Sequence, residues 1–327
     1  MTSLIQNVRQ QIAGALPVTR ALQELPFLLV FKTTNYCWYE CPHCCENSGP
    51  HQPRTFIPAF VIRGYVAEAE RLGPAFANKV VLTGGEIMSA YRFGPENYVP
   101  DVLRAALGTN VGVDIKTNGA WARAEFGQQI IDDLTGIIAE NAPYRMSISL
   151  SLDDYHPNSV QNAATIIRDI ARRPDQHVSI RLSGFPQTIE PLKQQLLAAL
   201  NTRRVPLCQG YIQTQNMRPV WVAGQKTILD FSTGTLFAGG RAKNLPNALA
   251  STPNESRFRF ICPAGVLMAF DTTGRVTLGE NSGPKIDTRW VDMGYVRPLG
   301  AIRNDLMSAT RWAELKARLT GTHPMSR

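Results

Sequence analysis

Met146-Ser147-Ile148-Ser149-Leu150-Ser151-Leu152 alternates apolar and polar residues without a break. As a strand it would put Ser147, Ser149 and Ser151 on one face and the aliphatic residues on the other. Val178-Ser179-Ile180-Arg181-Leu182-Ser183 repeats the pattern. Between the two lies Asn158–Arg172, with apolar residues at helical spacing. An antiparallel sheet exposed on one side gives the same alternation. A parallel sheet covered by helices on both faces should instead read apolar on both. Two strands joined by a helix that still keep one polar face fit the wall of a barrel whose lumen holds a polar ligand.

Outward from this unit the same rhythm continues. Strand signals fall at Phe27–Thr33, Lys79–Thr83, Val111–Thr117, Arg145–Leu152 and Val178–Ser183, with a weaker one at Cys208–Gln213. Helical patterns separate them at Pro58–Leu72, Tyr98–Leu107, Phe126–Asn141, Asn158–Arg172 and Thr188–Leu200. Strands alternating with helices of this length imply parallel βαβ units. The expected class is therefore α/β, a partial (β/α)6 barrel with a small α+β C-terminal extension. The extension would hold short strands at Val266–Asp271 and Arg275–Leu278, a turn at Gly274 and a closing helix near Met307–Leu319. The divisions expected are an N-terminal helix over 1–24, the barrel over 25–235 and the extension over 236–327.

Composition narrows the function. The chain of 327 residues is 44% hydrophobic and 8% aromatic, enough for a substantial core. No run approaches the roughly eighteen apolar residues of a membrane span. The N-terminus lacks the basic and apolar regions of a secretory signal, so a cytoplasmic location is expected. The formal charge of +8 is spread along the chain with no basic, aromatic-interleaved run, which argues against a nucleic-acid partner.

Of six cysteines, four stand at 37, 41, 44 and 45. The loop after the first strand, Asn35-Tyr36-Cys37-Trp38-Tyr39-Glu40-Cys41-Pro42-His43-Cys44, has the spacing C-x3-C-x2-C. Three thiolates on one short loop can hold three corners of a cubane 4Fe–4S cluster, leaving the fourth iron open to a small molecule. Zinc is the competing occupant, with His43 or Cys45 as fourth ligand. Zinc ribbons, however, usually carry two separated C-x2-C pairs, and no second pair occurs. The cluster reading is preferred, with Cys45 a structural thiol.

This loop resembles the signature of the radical S-adenosylmethionine (SAM) superfamily, with His43 in its aromatic position. Val80-Val81-Leu82-Thr83-Gly84-Gly85-Glu86 resembles the same family's Gly-Gly-Glu segment. The resemblance implies one 4Fe–4S cluster on Cys37, Cys41 and Cys44, SAM as second cofactor, and a flavodoxin or ferredoxin as electron donor. It implies that His43 packs near the adenine and that Gly84, Gly85 and Glu86 meet the amino group. Thr117 and Asn118 in Asp114–Gly119, and Ser149, Ser151 and Asp153 in Ser149–His156, resemble segments bordering the ribose and carboxylate. Arg181 resembles a residue that pairs the carboxylate. Thr-Asn-Gly is also a common turn, and Asp153 could be a helix N-cap.

Gly240-Arg241-Ala242, Cys262-Pro263-Ala264-Gly265 and Asp271–Val276 follow the order of SPASM-type extensions. Leu278-Gly279 stands where such extensions carry a cysteine, so no auxiliary cluster is expected. The implied activity is cleavage of SAM to a 5′-deoxyadenosyl radical. That radical would abstract hydrogen from a peptide or amino-acid-like substrate in natural-product biosynthesis, leading to crosslinking, oxidation or epimerisation. Epimerisation would need a hydrogen donor, for which Cys262 and Cys208 are candidates. A small metabolite such as a sugar or nucleoside is the alternative substrate, and a non-enzymatic iron–sulfur or zinc redox sensor the alternative class.

Overall fold

A computed structural model describes residues 26–44, 46–107, 111–141, 146–173, 178–212, 218–224, 226–233, 240–245, 261–262, 265–272, 275–278, 285–287, 298–299 and 301–305. The helices expected at 1–24 and 307–319, Cys45, Gly274 and Gly279 lie outside the described residues.

Twelve strands among the described residues join one sheet. They are β1 (Phe27–Thr34), β2 (Ala77–Gly84), β3 (Gly112–Thr117), β4 (Met146–Ser151), β5 (Val178–Gly184), β6 (Leu207–Ile212), β7 (Arg218–Ala223), β8 (Thr227–Thr233), β9 (Ile261–Cys262), β10 (Gly265–Phe270), β11 (Arg275–Leu278) and β12 (Lys285–Asp287). The order is β12-β11-β10-β1-β2-β3-β4-β5-β8-β7-β6, with β9 paired to β10. From β10 through β1–β5 to β8 the strands are parallel. Antiparallel strands flank them on both sides.

The connections of the parallel core carry α1 (Ala59–Leu72), α2 (Ala90–Phe93), α3 (Tyr98–Ala106), α4 (Gly127–Ala139), α5 (Ser159–Ala171) and α6 (Ile189–Thr202). The five longer helices match the five expected from periodicity. Strands β1 to β5 follow one another in a single direction across the sheet, and right-handed crossovers then place every connecting helix on the same face. The core shows this. Leu29, Phe31, Val80, Leu82, Ile115, Ile148, Leu150, Ile180 and Leu182 share one cluster with Ile62, Val102, Leu134, Ile167 and Leu196 from the helices. The alternate residues Val30, Val81 and Ala269 form a separate small cluster on the opposite face.

That opposite face is polar in rows fixed by register. Asp114 lies beside Ser147, and Ser147 beside Ser179. One row further along, Lys116, Ser149, Arg181 and Asp230 are neighbours. At the C-terminal ends Ser151, Ser183 and Ser232 align, and the hydroxyls of Ser183 and Ser232 lie 3.0 Å apart.

One strand assignment is corrected. The place beside β5 belongs to β8, while the Cys208 segment forms β6 at the sheet's far edge. In Thr227-Ile228-Leu229-Asp230-Phe231-Ser232-Thr233, Leu229 is buried in the helix-facing core and Asp230 faces Arg181. It repeats the alternation of β4 and β5, so it can extend their polar face.

Candidate functional site

The C-terminal ends of β1–β4 surround a cavity of about 240 Å³ lined in part by Cys37, Cys41, His43, Cys44, Gly84, Gly85, Lys116, Thr117, Asn118 and Ser151. Ligand sites at this end of parallel strands follow from the loops that converge there.

The cysteine loop leaves β1 and is tied back at both ends. Thr34 bridges to Phe56 and Tyr36 to Gly49, and the Cys37 N–H donates to the Gly49 carbonyl at 3.3 Å. Lys32 pairs with Glu46 at 2.8 Å, both nearly buried. Trp38 stacks on Phe126 with ring centroids 6.0 Å apart.

Gly84-Gly85-Glu86 holds this loop from below. The Gly85 N–H donates to the Thr34 carbonyl at 2.6 Å and the Glu86 N–H to the Tyr36 carbonyl at 2.8 Å. A Cβ on Gly84, whose φ is +116°, would meet Thr34 O at 2.3 Å, and one on Gly85 would meet Tyr36 O at 1.9 Å. The glycines are required by backbone packed on backbone, with the cysteine loop as the partner.

Glu86 is placed differently from expectation. It is fully buried and does not line the cavity. Its carboxylate accepts from the Met88 N–H at 3.2 Å, the Thr117 hydroxyl at 2.8 and 2.9 Å and the Asn118 N–H at 2.9 Å. Burial pushes this carboxyl up to about 7, against the pull of those donors. Its work is to fasten β3's end beneath the glycines.

The thiols sit in a donor-rich environment. The Tyr39 N–H and the Asn118 side-chain amide point to Cys37 Sγ, each at 3.5 Å, and the Ser48 N–H points to Cys44 Sγ at 3.3 Å. Burial pushes the Cys37 thiol up to about 12, with the Glu86 charge adding to it. A bound metal would have to displace that proton. Among the described residues, His43, Asp153 and His156 offer three ligand atoms that all lie within 4.8 Å of one another. N–H donors aimed at sulfur suit thiolates that hold a cluster. The residues fit a 4Fe–4S group.

Beside the thiols lies an aromatic nest. His43 stacks on Tyr155 at 4.7 Å and meets His156 and Phe185 edge-on at 4.7 and 5.8 Å. Burial pulls the His43 imidazole down to about 4, so it is neutral. Burial would also lower His156, but hydrogen bonds with Asp153 and Cys41 outweigh it and hold that imidazole up at about 10. Asp153 accepts from the backbone of Tyr155 and His156, both at 3.0 Å, and lies 2.9 Å from His156 Nδ1. Its buried carboxylate closes the turn before α5 and is not in the cavity lining.

Ser149 and Arg181, expected to border and pair the carboxylate, have protein partners here. The Ser149 hydroxyl donates to Asp114 at 2.7 Å. Arg181 lies between two carboxylates, 3.5 Å from Asp114 and 3.8 Å from Asp230. Lys79 adds a second cation 3.6 Å from Asp114. Neither Ser149 nor Arg181 lines the cavity. Lys116 does line it, is exposed, and has no ion pair among the described residues. Sequence reasoning passed it over, although it is the residue before Thr117 on the polar face.

Cys208 is exposed on β6 and does not line the cavity. Cys262 belongs to β9, beside Gly265; its side chain lies outside the described residues. No helix among the described residues is long and apolar enough to cross a membrane.

No family model and no curated protein matches the chain. Solved structures similar to it include native anSMEcpe with bound AdoMet (10% identity, TM-score 0.42, 77% of this chain and 74% of that one). They also include its hexahistidine-tagged form with AdoMet (11%, 0.39, 77% and 71%). A third is the native form with AdoMet and Cp18Cys peptide (12%, 0.33, 55% and 48%), of which the match spans about half the length. Likeness of this degree carries no argument for function, which rests on the site.

Proposed function

We propose that the chain is a radical SAM enzyme, with a 4Fe–4S cluster on Cys37, Cys41 and Cys44. The observation that carries this reading is the set of three thiols in the lining of one cavity, two of them met by N–H donors. The cluster would supply the electron that cleaves SAM reductively to methionine and a 5′-deoxyadenosyl radical, after one electron from a flavodoxin or ferredoxin.

The chain's own residues bind and orient. Backbone groups of Gly84 and Gly85 meet the amino group, and neutral His43, held by Tyr155 and Phe185, offers an apolar face to the adenine. Ser151 offers a hydroxyl to the ribose, and Lys116 takes the carboxylate in place of Arg181. On this reading the sheet curves as a partial barrel, and its serine row at Ser183 and Ser232 faces the substrate. A peptide or amino-acid-like substrate is favoured by the order of motifs in the tail. The charged cluster of Asp114, Arg181 and Asp230 favours a small polar metabolite as second reading.

Anaerobic reconstitution with iron and sulfide, then dithionite and SAM, is expected to yield 5′-deoxyadenosine and methionine. A reconstituted protein that forms neither overturns the assignment. Lys116→Met is expected to raise the KM for SAM about tenfold while the fold is kept, the scale of one charge-assisted hydrogen bond. An unchanged KM removes Lys116 from the site.

A further inference from the structure

Arg241 belongs to a helical turn, Gly240–Asn244, some two hundred residues beyond the cysteine loop, and concentrates its donors on that loop. Its guanidinium donates to the Cys41 carbonyl at 2.9 Å, the Ser48 carbonyl at 2.5 Å and the Asn47 side-chain oxygen at 3.2 Å. Its backbone N–H donates to the Cys44 carbonyl at 3.0 Å. Two cysteines, the turn after them and the asparagine at φ +56° are thus held by one residue. The loop has little regular structure of its own to satisfy these carbonyls, and a buried carbonyl without a donor is costly. Lysine could not reproduce the grip, because only guanidinium presents a planar fork of donors.

We infer that Arg241 is the positioning residue of the thiolate loop. It preorganises Cys41 and Cys44 through their carbonyls and sets a fixed positive charge against the loop that carries the sulfurs, 4.0 Å from the Glu40 carboxylate. The first effect lowers the entropy lost when three thiolates gather on a cluster. The second favours the more negative, reduced state of whatever the thiolates hold, because net charge and hydrogen bonding near a cluster set its potential. The inference makes the segment around residue 241 part of the cofactor site. Its electrostatic half rests on the radical SAM reading; its structural half does not.

The experiment uses the full chain with Arg241→Gln and Arg241→Lys. Metal-free protein is treated with N-ethylmaleimide, and modification of each cysteine is followed by mass spectrometry. Arg241→Lys, which keeps the charge but not the fork, is expected to speed alkylation of Cys41 and Cys44 about tenfold. Arg241→Gln, which also loses the charge that favours thiolate, is expected to speed it by less, with Cys208 as an unchanged internal reference. In reconstituted protein the midpoint potential is expected to become more negative in Arg241→Gln. Arg241→Lys is expected to restore the potential and leave alkylation fast. Alkylation within twofold of wild type in both variants, with an unchanged potential, overturns the inference. Should Arg241→Gln fail to fold, as read by loss of its cooperative melt, Arg241→Lys alone decides: wild-type alkylation there overturns it. Absence of SAM cleavage in the reconstituted wild-type protein, with the alkylation effect intact, would overturn the function and leave the loop's positioning standing.

Discussion

Gly85→Ala is expected to lower stability by about 2–6 kcal/mol and, on the proposed reading, to leave the protein unable to retain iron. The new Cβ would stand 1.9 Å from the Tyr36 carbonyl oxygen and 2.6 Å from its carbon. Both are backbone atoms, so no side chain can rotate away. Relief requires the Gly85 segment and the cysteine loop to separate. Separation breaks the N–H···O bonds from Gly85 to Thr34 and from Glu86 to Tyr36. Each is worth about 0.5–1.5 kcal/mol, and the overpacking itself about 1–3 kcal/mol. The displaced residue, Tyr36, is the one before Cys37, so lost iron follows from the same movement. Gly136→Ala is the control. Gly136 lies near the end of α4, exposed, with nothing within 4 Å of a built Cβ. Alanine there is expected to stabilise by about 0.5–1 kcal/mol, the ordinary helix preference. Denaturant melts of the two variants check both signs. A Gly85→Ala protein as stable as wild type would show that the two loops do not pack as described.

What the sequence revealed and what it hid divide along a physical line. Periodicity reports which way side chains point, and the helices over residues 59–72, 127–139 and 159–171 lie within two residues of expectation. The alternation at residues 146–152 likewise marked a real polar face. Periodicity carries no order of strands. Nothing local in Thr227–Thr233 says that it, rather than the Cys208 segment, lies beside β5, because strand order is decided by long-range packing. The candidate site shows the same limit. Motif spacing led to the cavity at Cys37, Cys41, Cys44, Gly84, Gly85, Thr117, Asn118 and Ser151. It did not separate residues that face the cavity from those that brace it. Glu86, Asp153, Ser149 and Arg181 are each taken by protein partners. Arg241 was legible only as a residue type in a tail motif. Its partners lie about two hundred positions away, a distance no local pattern spans.

Glu86→Gln separates a bracing role from a ligand role. The Thr117 hydroxyl already accepts from the Trp121 indole N–H at 2.9 Å and from the Gly119 N–H at 3.1 Å. With its acceptor capacity filled, it must donate its own proton to Glu86. The other donors facing the carboxylate are the N–H groups of Met88 and Asn118. A glutamine amide would turn its NH2 toward one of these donors, with no acceptor in reach and no water, since the site is fully buried. The expected deficit at neutral pH is about 2–4 kcal/mol in a denaturant melt. The folded carboxyl titrates near 7 and the free one at 4.5. The folded state therefore holds a proton that the unfolded chain has released between these values. This contribution is fully present below 4.5 and is lost as pH rises through 7. The deficit of the glutamine variant should accordingly widen as pH falls from 7 to 4.5. A deficit constant over that window would show that Glu86 stays ionised throughout. The KM for SAM, measured where the variant is folded, should remain that of wild type, because the carboxylate does not line the cavity. A raised KM with unchanged stability would instead make Glu86 a ligand of the SAM amino group.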